Sequence, residues 1–359
     1  MERILTSCDL NKSEILESGG AAGKLDQEIT TKDLDTNPMK DLTIHRVLGV
    51  GCFGFVFAVS KYPSSGQEAH KLFQASSPSG CPLQEFEREG QLTDAQHPNV
   101  VRTHTIEVIP QGQNILELYI KSLETPYKFG SNVSDMIYYR FKARTKTERY
   151  PSIRVTMELC GPTLKNWLQF VEANCSLPEK CDKNFEFRRE IGQGIIEGLK
   201  YLHNGKNIIH RDLKPDNIFF SLTTNDDCYQ LPVKIGDFGL CRPVEDDISS
   251  SKTAEVGSLL YRAPDVGMDN EEKAKYSYRA DLYSLGLILS ELFQFIPQAL
   301  RATHFDELVL ARDESLVLEN SRFPKLKETI ISLTKKRSRD RIKSINLVDP
   351  FNMNFDTNE

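Results

Sequence analysis

Basic residues are not in excess in this chain, and the sequence also lacks paired cysteines and a long apolar run. Its 45 lysines and arginines face 51 aspartates and glutamates, and the net charge of −6 argues against a nonspecific nucleic-acid binder. The eight cysteines contain no C-x-x-C pair and follow no signal peptide, which indicates reduced thiols in a cytoplasmic protein rather than disulfides or structural zinc. The most apolar stretch, residues 282–295, is too short to span a bilayer and predicts a buried helix. We therefore expect no membrane contact and no nucleic-acid-binding domain.

Two short motifs near the middle of the chain carry the residue types needed to transfer a phosphoryl group. Residues 210–217 read HRDLKPDN, and residues 237–239 read DFG. An aspartate beside an attacking hydroxyl can orient it and accept its proton, which makes Asp212 the candidate catalytic base. Asn217 and Asp237 offer the hard oxygen ligands that Mg²⁺ prefers, so they are candidate metal ligands. The motifs together predict Mg²⁺-dependent transfer from ATP to a hydroxyl.

A glycine-rich segment near the start of the globular region predicts a phosphate-binding turn. Residues 49–54 read GVGCFG, with apolar residues before them and a β-prone run after them, which indicates a strand, a turn and a second strand. Backbone amides at Gly49, Gly51 and Gly54 can approach phosphates because no Cβ stands in the way. A dinucleotide-binding version of this pattern would open a helix instead. Seventeen residues beyond the last glycine, Lys71 is expected to direct its ammonium at the α- and β-phosphates.

With these motifs in place, residues 41–350 resemble the eukaryotic protein kinase family. The resemblance implies an α+β, two-lobed protein-kinase fold, in which a small antiparallel β-sheet lobe and a larger, mainly α-helical lobe hold ATP between them. It adds Val56 to the expected nucleotide-binding residues. It makes Lys214 the serine/threonine-kinase version of the catalytic loop, with a catalytic role. Asp281 matches a buried aspartate that braces this loop from the following helix.

The same resemblance predicts how the chain is divided. The first forty residues are polar and show little sustained periodicity, which is typical of a flexible segment. The expected divisions are a flexible N-terminal leader at 1–40, a protein kinase domain at 41–351 with its small lobe at about 41–158 and its large lobe at about 161–351, and a C-terminal tail at 352–359.

Three phrases make the resemblance narrower, toward the kinases of the alpha subunit of eukaryotic translation initiation factor 2. Residues 157–168 read MELCGPTLKNWL, residues 217–220 read NIFF, and residues 234–240 read KIGDFGL. The resemblance implies that backbone groups of Glu158 and Cys160 bond the adenine. It also implies that the alpha subunit is the protein substrate, that its phosphorylation represses translation initiation, and that a homodimer is to be considered.

A long insert is expected in the small lobe. Residues 110–151 interrupt what should be a short connection between the fourth and fifth strands, where the initiation-factor kinases also tend to carry an insert. Within it, residues 135–142 read DMIYYRFK and predict one added strand. A loop of this length is either functional or disordered. A tolerated surface insertion without function and a regulatory segment are equally consistent with the sequence.

Regulatory residues are expected in the segment after the DFG motif. By the resemblance, Thr253 is the candidate phosphosite of this segment, which a new dianion would order. Arg211 is its natural partner, because a guanidinium can hold a phosphate by two charge-assisted hydrogen bonds. Ser258 matches the hydroxyl of the substrate-binding turn that faces Asp212 and Lys214.

Two positions depart from the family pattern. Asp265 stands where a glutamate is usual, and its shorter side chain has less reach toward Arg341. By the family spacing, Arg88 occupies the position of the glutamate that should pair with Lys71. A one-residue deletion would assign the role to Glu89. These departures leave open a kinase-fold scaffold without activity, and a different serine/threonine substrate is a further alternative. The complete set of catalytic residues favours an active enzyme.

Overall fold

An antiparallel sheet of five strands forms the first lobe, with the strands in the order β1-β2-β3-β5-β4. They are β1 Leu42–Gly51, β2 Gly54–Lys61, β3 Gln67–Gln74, β4 Thr103–Ile109 and β5 Ser152–Glu158. The computed structural model describes residues 39–51, 54–64, 66–74, 90–109, 115–123, 152–174, 185–222, 229–243, 259–265, 277–311, 314–317 and 323–351. Gly51 pairs with Gly54 where β1 meets β2, so the glycine-rich segment joins two strands as the sequence predicts.

The two faces of the sheet are distinguished by alternate residues of β2 and β3. Phe57 pairs with His70 across these strands, and the adjacent pair is Val56 with Lys71. Because successive side chains of a strand point to opposite faces, the first pair lies on one face and the second pair on the other. Phe57 and His70 are nevertheless buried, so a further element must cover their face.

A helix from the long segment between β4 and β5 provides this cover. This helix, α1, spans Ile115–Ser122 within the expected insert, and the sequence analysis did not predict it. Ile115 and Tyr119 are buried one helical turn apart, which places both on the face toward the sheet. The Tyr119 ring meets the Phe57 ring edge-on, with 5.1 Å between centroids. The strand predicted at 135–142 lies outside the described residues.

Helices dominate the second lobe, where their apolar faces meet in one core. They are α2 Leu164–Asn174, α3 Phe185–Lys200, α4 Tyr278–Gln294, α5 Arg301–Asp306 and α6 Lys325–Leu333. The helix α3 buries Ile191, Ile195 and Leu199 at helical spacing, as the sequence predicts. The helix α4 occupies the apolar stretch and is buried along most of its length. None of the helices in the described ranges has the length and apolarity needed to cross a membrane.

Two short strand pairs anchor the segments that carry the candidate catalytic residues. The pairs are β6 Ile208–Ile209 with β9 Arg242–Pro243, and β7 Ile218–Ser221 with β8 Gln230–Ile235. The HRDLKPDN segment runs from β6 to β7, and the DFG segment runs from β8 to β9. Each segment is therefore held by paired strands at both ends. The expected α+β class, with a sheet lobe and a helical lobe, is confirmed.

Candidate active site

Asp281, on α4, fixes the backbone of the loop between β6 and β7. Its Oδ2 accepts the His210 N–H at 2.8 Å and lies 2.8 Å from His203 Nε2, and its Oδ1 accepts the Arg211 N–H at 2.8 Å. These bonds hold Arg211 at a left-handed φ of 70°, which a non-glycine residue adopts only at a cost. Burial raises the pKa of Asp281, but the hydrogen bonds from His203 and from the His210 N–H outweigh burial and lower the pKa below its ordinary value of 3.8. Asp281 thus fixes the turn on which Asp212 stands.

Asp212 lies between two hydrogen-bond donors of its own loop. Lys214 Nζ donates to Asp212 Oδ2 at 2.6 Å. Asn217 Nδ2 donates to the same oxygen at 3.1 Å and to the Asp212 carbonyl at 2.8 Å. Because the amide nitrogen of Asn217 is engaged in this way, its Oδ1 is the atom that can ligate a metal. Asp216, the other carboxylate of the loop, pairs with Lys165 at 2.7 Å.

Hydrogen bonds of Gly236 connect the segment after β8 to the loop between β6 and β7. Its N–H donates to the Asn217 carbonyl at 2.9 Å, and its carbonyl lies 3.0 Å from His210 Nε2. A carbonyl only accepts, so His210 carries a proton on Nε2, and its Nδ1 accepts the Asp212 N–H at 3.3 Å. The Phe238 ring packs edge-on against the His210 ring, with 5.7 Å between centroids. The base candidate and the metal-ligand candidates therefore belong to one hydrogen-bonded unit.

An ion pair between Lys71 and Asp237 joins the two lobes. Lys71 Nζ, on β3, lies 2.9 Å from Asp237 Oδ1, and Asp237 precedes the short 3₁₀ turn Phe238–Leu240. Burial raises the pKa of Asp237, but the charge and hydrogen bond of Lys71, with a smaller contribution from the charge of Lys214, lower it below its ordinary value of 3.8. Asp237 is therefore ionised at neutral pH, as a carboxylate ligand of a metal must be.

The glycines of the β1–β2 turn have different surroundings. A Cβ on Gly54, whose φ is 147°, would lie 2.2 Å from the Leu72 carbonyl oxygen. Only glycine allows this close approach of β2 to β3, a requirement that the sequence analysis did not include. A Cβ on Gly49 would meet no atom within 4 Å, so its side of the turn has room for a ligand. Gly51 ends β1 directly opposite Gly54.

An apolar patch lies on the face of the sheet that carries Lys71. It consists of Ala58, Ala69 and Leu159, with Val56 and Met157 packed against them. Val56 is the cross-strand partner of Lys71, and Ala69 lies two residues before Lys71 on the same face of β3. The patch offers the apolar surface that a purine base requires. The sequence motifs do not identify Ala69 as part of this patch, although the period of two along β3 places it on the same face as Lys71.

Glu158 and Cys160 lie where the chain passes from the sheet lobe to the helical lobe. The Glu158 N–H donates to the Arg102 carbonyl at 3.0 Å. The backbone atom of Glu158 that could bond a base is therefore its carbonyl oxygen, which would accept the hydrogen bond. Glu158 Oε1 accepts the Arg102 N–H at 2.7 Å and Lys234 Nζ at 3.1 Å, two partners that the sequence analysis did not predict. Burial, and then the charge of Glu158, raises the pKa of the Cys160 thiol to about 12. Cys160 is therefore a neutral thiol at this junction.

Asp265 reaches Arg341 despite its short side chain. Arg341 Nη2 lies 2.6 Å from Asp265 Oδ1, and the Ser338 N–H donates to Asp265 Oδ2 at 2.8 Å. Arg341 is only 3% exposed and also donates to the carbonyls of Lys335 and Lys336. The departure from glutamate at this position therefore leaves the ion pair formed.

Three of the predicted site residues lie outside the described part of the chain. They are Glu89, the candidate partner of Lys71, and the two candidate regulatory hydroxyls, Thr253 and Ser258. Arg211, the candidate partner of a phosphorylated Thr253, is half-buried next to Asp212. The roles assigned to Glu89, Thr253, Ser258 and Arg211 stay predictions.

The described residues fit a nucleotide bound with a divalent cation. Mg²⁺ usually takes one or two protein oxygens together with phosphate oxygens and water. Asp237 and the amide oxygen of Asn217 offer such a donor set on two segments that Gly236 bonds together. The Lys71 ammonium, already 2.9 Å from Asp237, adds a positive charge on the side of the sheet where Gly49 leaves room.

The protein kinase domain family model matches residues 42–344, and the chain therefore belongs to this family. The predicted protein-kinase fold is confirmed, with the five-stranded sheet as its small lobe and the helical region as its large lobe. The match covers the glycine-rich turn, both catalytic segments and α4.

Comparison with curated proteins confirms the resemblance to the initiation-factor kinases. The chain is 33% identical over 167 residues to mouse (Mus musculus) eukaryotic translation initiation factor 2-alpha kinase 1, covering 42% of this chain and 25% of that protein. It is 30% identical over 211 residues to eukaryotic translation initiation factor 2-alpha kinase pek-1 of Caenorhabditis elegans, covering 56% of this chain and 18% of that protein. It is 35% identical over 150 residues to eukaryotic translation initiation factor 2-alpha kinase 3 of Rattus norvegicus, covering 38% and 12%. The chain thus matches a quarter or less of the length of these relatives.

Proposed function

We propose that this protein transfers the γ-phosphoryl group of ATP to a serine or threonine hydroxyl of a protein substrate. The observation that carries the proposal is the bonded arrangement of four side chains. Asn217 donates a hydrogen bond to Asp212, and Lys71 lies 2.9 Å from Asp237. Gly236, which precedes Asp237, is hydrogen-bonded to Asn217 and His210 of the loop that carries Asp212. Phosphoryl transfer depends on positioning and charge, which such an arrangement provides.

Each of these residues has a role in the proposed reaction. Bound Mg-ATP would supply the electrophilic phosphorus and the cation that neutralises the phosphates. Asp212 orients the acceptor hydroxyl and takes its proton as the new O–P bond forms, while the bond from the γ-phosphorus to the bridging oxygen of ATP breaks and ADP leaves. Lys214, 2.6 Å from Asp212 Oδ2, holds that carboxylate and adds positive charge beside the transferred group. Lys71 binds the α- and β-phosphates, while Asn217 and Asp237 hold the metal.

The nucleotide-binding part of the proposal adds the glycine-rich turn and the junction between the lobes. Gly49 and Gly51 present backbone amides to the phosphates, and the open space at Gly49 supports this role. Val56 contacts the adenine from the sheet. The base bonds to the backbone at Glu158 and Cys160, and the apolar patch beside Leu159 supports this arrangement.

The proposed substrate is the alpha subunit of eukaryotic translation initiation factor 2, with repression of translation initiation as the consequence. Support comes from the relatives, whose names state this activity for those proteins. The proposed serine/threonine specificity rests on Lys214. A different protein substrate is the alternative within the enzyme class. A scaffold without activity is the alternative outside it, although Lys71, Asp212, Asn217 and Asp237 are all present.

Activation and context complete the proposal. Phosphorylation of Thr253 orders the activation segment, with Arg211 as the phosphate partner and Ser258 in the substrate-binding turn. Glu89 is the proposed partner of Lys71 in the active state. The protein acts in the cytoplasm and is a candidate homodimer.

The test is phosphorylation of the intact alpha subunit by the purified chain with Mg-ATP, beside a short peptide that contains its acceptor serine. We expect the intact subunit to be the better substrate, because remote binding surface contributes orientation at the reacting centre. Asp212→Asn should abolish labelling. Asp94→Asn, the same change at an exposed surface pair with Lys206, should not.

The outcomes separate the alternatives. Equal efficiency on subunit and peptide would count against the initiation-factor assignment. Labelling of a generic protein without labelling of the intact subunit would leave a serine/threonine kinase with another substrate. Absence of any transfer by a folded protein that binds Mg-ATP would favour the scaffold.

A further inference from the structure

Tyr119 of α1 contacts both members of one cross-strand pair on the outer face of the sheet. Its hydroxyl lies 2.6 Å from His70 Nδ1, and its ring meets the Phe57 ring edge-on at 5.1 Å. Phe57 and His70 are paired with each other across β2 and β3. Tyr119 is fully buried, so water does not compete for its hydroxyl. Tyr119, a side chain of the insert, thus contacts both β2 and β3 on the face of the sheet opposite to Lys71.

The adjacent cross-strand pair is Val56 with Lys71, and it lies on the opposite face of the sheet, from which Lys71 reaches Asp237. These are the residues proposed to contact the adenine and the phosphates. A strand advances only about 3.3 Å per residue, so a shift or rotation of the Phe57–His70 pair is passed directly to its neighbours. The Lys71 ammonium, 2.9 Å from Asp237, depends on its exact strand position for that contact.

The surroundings of His70 indicate the direction of its hydrogen bond with Tyr119. The Glu68 carboxylate lies 3.6 Å from His70 Nε2 and favours a proton on that nitrogen, so Nδ1 of the neutral ring accepts the Tyr119 hydroxyl proton. Arg154 Nη1 donates to the Tyr119 hydroxyl oxygen at 3.4 Å, which leaves the tyrosine proton available for His70. Burial, with the charges of Arg154 and Lys61, lowers the pKa of His70 to about 3. His70 therefore stays a neutral acceptor at physiological pH.

We propose that Tyr119 is a positioning residue for nucleotide binding. Through its contacts with Phe57 and His70 it holds Val56 and Lys71 in the geometry that binds Mg-ATP. The inference rests on the proposed function, and it gives α1 a role beyond covering the sheet. The insert between β4 and β5 is thereby linked to the affinity of the enzyme for its nucleotide.

The test is Tyr119→Phe, which keeps the buried ring and removes only the hydroxyl. Loss of one buried hydrogen bond is expected to weaken Mg-ATP binding about three- to tenfold, measured by calorimetry, with a matching rise in the KM for ATP. The KM for the protein substrate should not change. Tyr62→Phe is the matched control, because Tyr62 is 78% exposed and the same atom is removed.

A double-mutant cycle with His70→Leu tests the bond itself. If the hydroxyl acts through His70, the double variant should bind Mg-ATP about as weakly as either single variant. Additive losses would overturn the proposed path. A lower melting temperature with unchanged Mg-ATP affinity in Tyr119→Phe would show a purely structural role and would also overturn the proposal.

Failure of the proposed enzymatic activity can be recognised separately. Mg-ATP binding requires no phosphoryl transfer, so the affinities can be compared in an Asp212→Asn background. A chain that transfers no phosphate would refute the proposed function, whereas the response of Mg-ATP affinity to Tyr119→Phe would still decide the role of this tyrosine.

Discussion

Lys71 Nζ and Asp237 Oδ1 lie 2.9 Å apart, although 166 residues separate them in the chain. Lys71 is only 5% exposed, so its charge is largely removed from water and depends on acidic neighbours. The pair connects β3 of the small lobe to the DFG segment of the large lobe. The ammonium proposed to bind the phosphates and the carboxylate proposed to bind the metal are thus aligned by the same contact.

The first prediction is that Lys71→Met lowers phosphoryl transfer by at least about 100-fold, because it removes a charge directed at the phosphates. Methionine keeps the apolar stem of the side chain, and the Asp237 carboxylate left behind is 37% exposed and can be hydrated, so the melting temperature should stay close to that of the wild type. Steady-state kinetics and thermal melting measure the two effects. Lys200→Met, which removes a lysine from a surface pair with Glu197, is the control and should keep full activity. Wild-type turnover by the Lys71 variant would refute the site.

The second prediction compares two glycines of one turn. Gly54→Ala should destabilise the fold by about 2–4 kcal/mol, because its Cβ would collide with the Leu72 carbonyl at a φ of 147°. Gly49→Ala should change stability by no more than about 0.5 kcal/mol, since its Cβ would meet no atom within 4 Å. Urea unfolding measures both values. Equal losses at the two positions would contradict the described packing of β2 on β3.

A third prediction concerns the buried partner of Asp265. Asp265→Asn leaves the Arg341 guanidinium, 3% exposed, without its carboxylate, and should cost about 3 kcal/mol of stability. Asp340→Asn is the same change nearby, at an exposed aspartate 3.9 Å from Arg339, and should cost little. Chemical unfolding of the two variants gives the comparison. If they unfold alike, the Asp265–Arg341 pair contributes nothing measurable.

The fourth prediction is that protonation of Asp281 contributes to a loss of stability at low pH. Its pKa in the folded state lies below 3.8, so its stabilising bonds to the loop are fully present above the unfolded-state pKa and are lost as the pH falls through the lower, folded value. The unfolding free energy of the wild type should therefore decrease below about pH 4. Asp281→Asn should be less stable at neutral pH and should show a shallower decrease. A variant with the wild-type slope would assign the dependence to other carboxylates.

The fifth prediction concerns activation. Thr253→Ala should lower activity, with Thr253→Glu a poor substitute because a carboxylate lacks the charge and geometry of a phosphate. Mass spectrometry after incubation with Mg-ATP should find phosphate at this residue. A fully active preparation without it would remove Thr253 from the mechanism.

Sequence motifs were sufficient to bring together those residues of the candidate site that are close in the chain. The HRDLKPDN segment contains Asp212 together with two donors to it, Lys214 and Asn217, so one stretch specifies three contacts. Lys71 could be identified as the candidate phosphate-binding lysine because the geometry of the strands and the turn sets its distance from the glycines. The buried role of Asp281 followed from its motif on α4, and its bonds to His210 and Arg211 agree with that expectation.

Contacts between distant segments could not be predicted in this way. Tyr119 meets His70 across 49 residues, and Lys234 meets Glu158 across 76. Such pairs depend on how the strands and helices are arranged in space, and neither the periodicity of a segment nor its composition contains that information. The helix α1 has only 8 residues within a long polar connection, so its apolar face became recognisable only against the sheet.

The raised pKa of the Cys160 thiol limits how the proposed nucleotide site can be attacked by covalent inhibitors. With its pKa raised to about 12, the thiol stays protonated near neutral pH, and the thiolate is the form that reacts with electrophiles. A compound that occupies the adenine site would therefore gain little from an acrylamide directed at this cysteine. Reversible contacts with the backbone at the junction and with the apolar patch that contains Ala69 and Leu159 offer the better basis for inhibition.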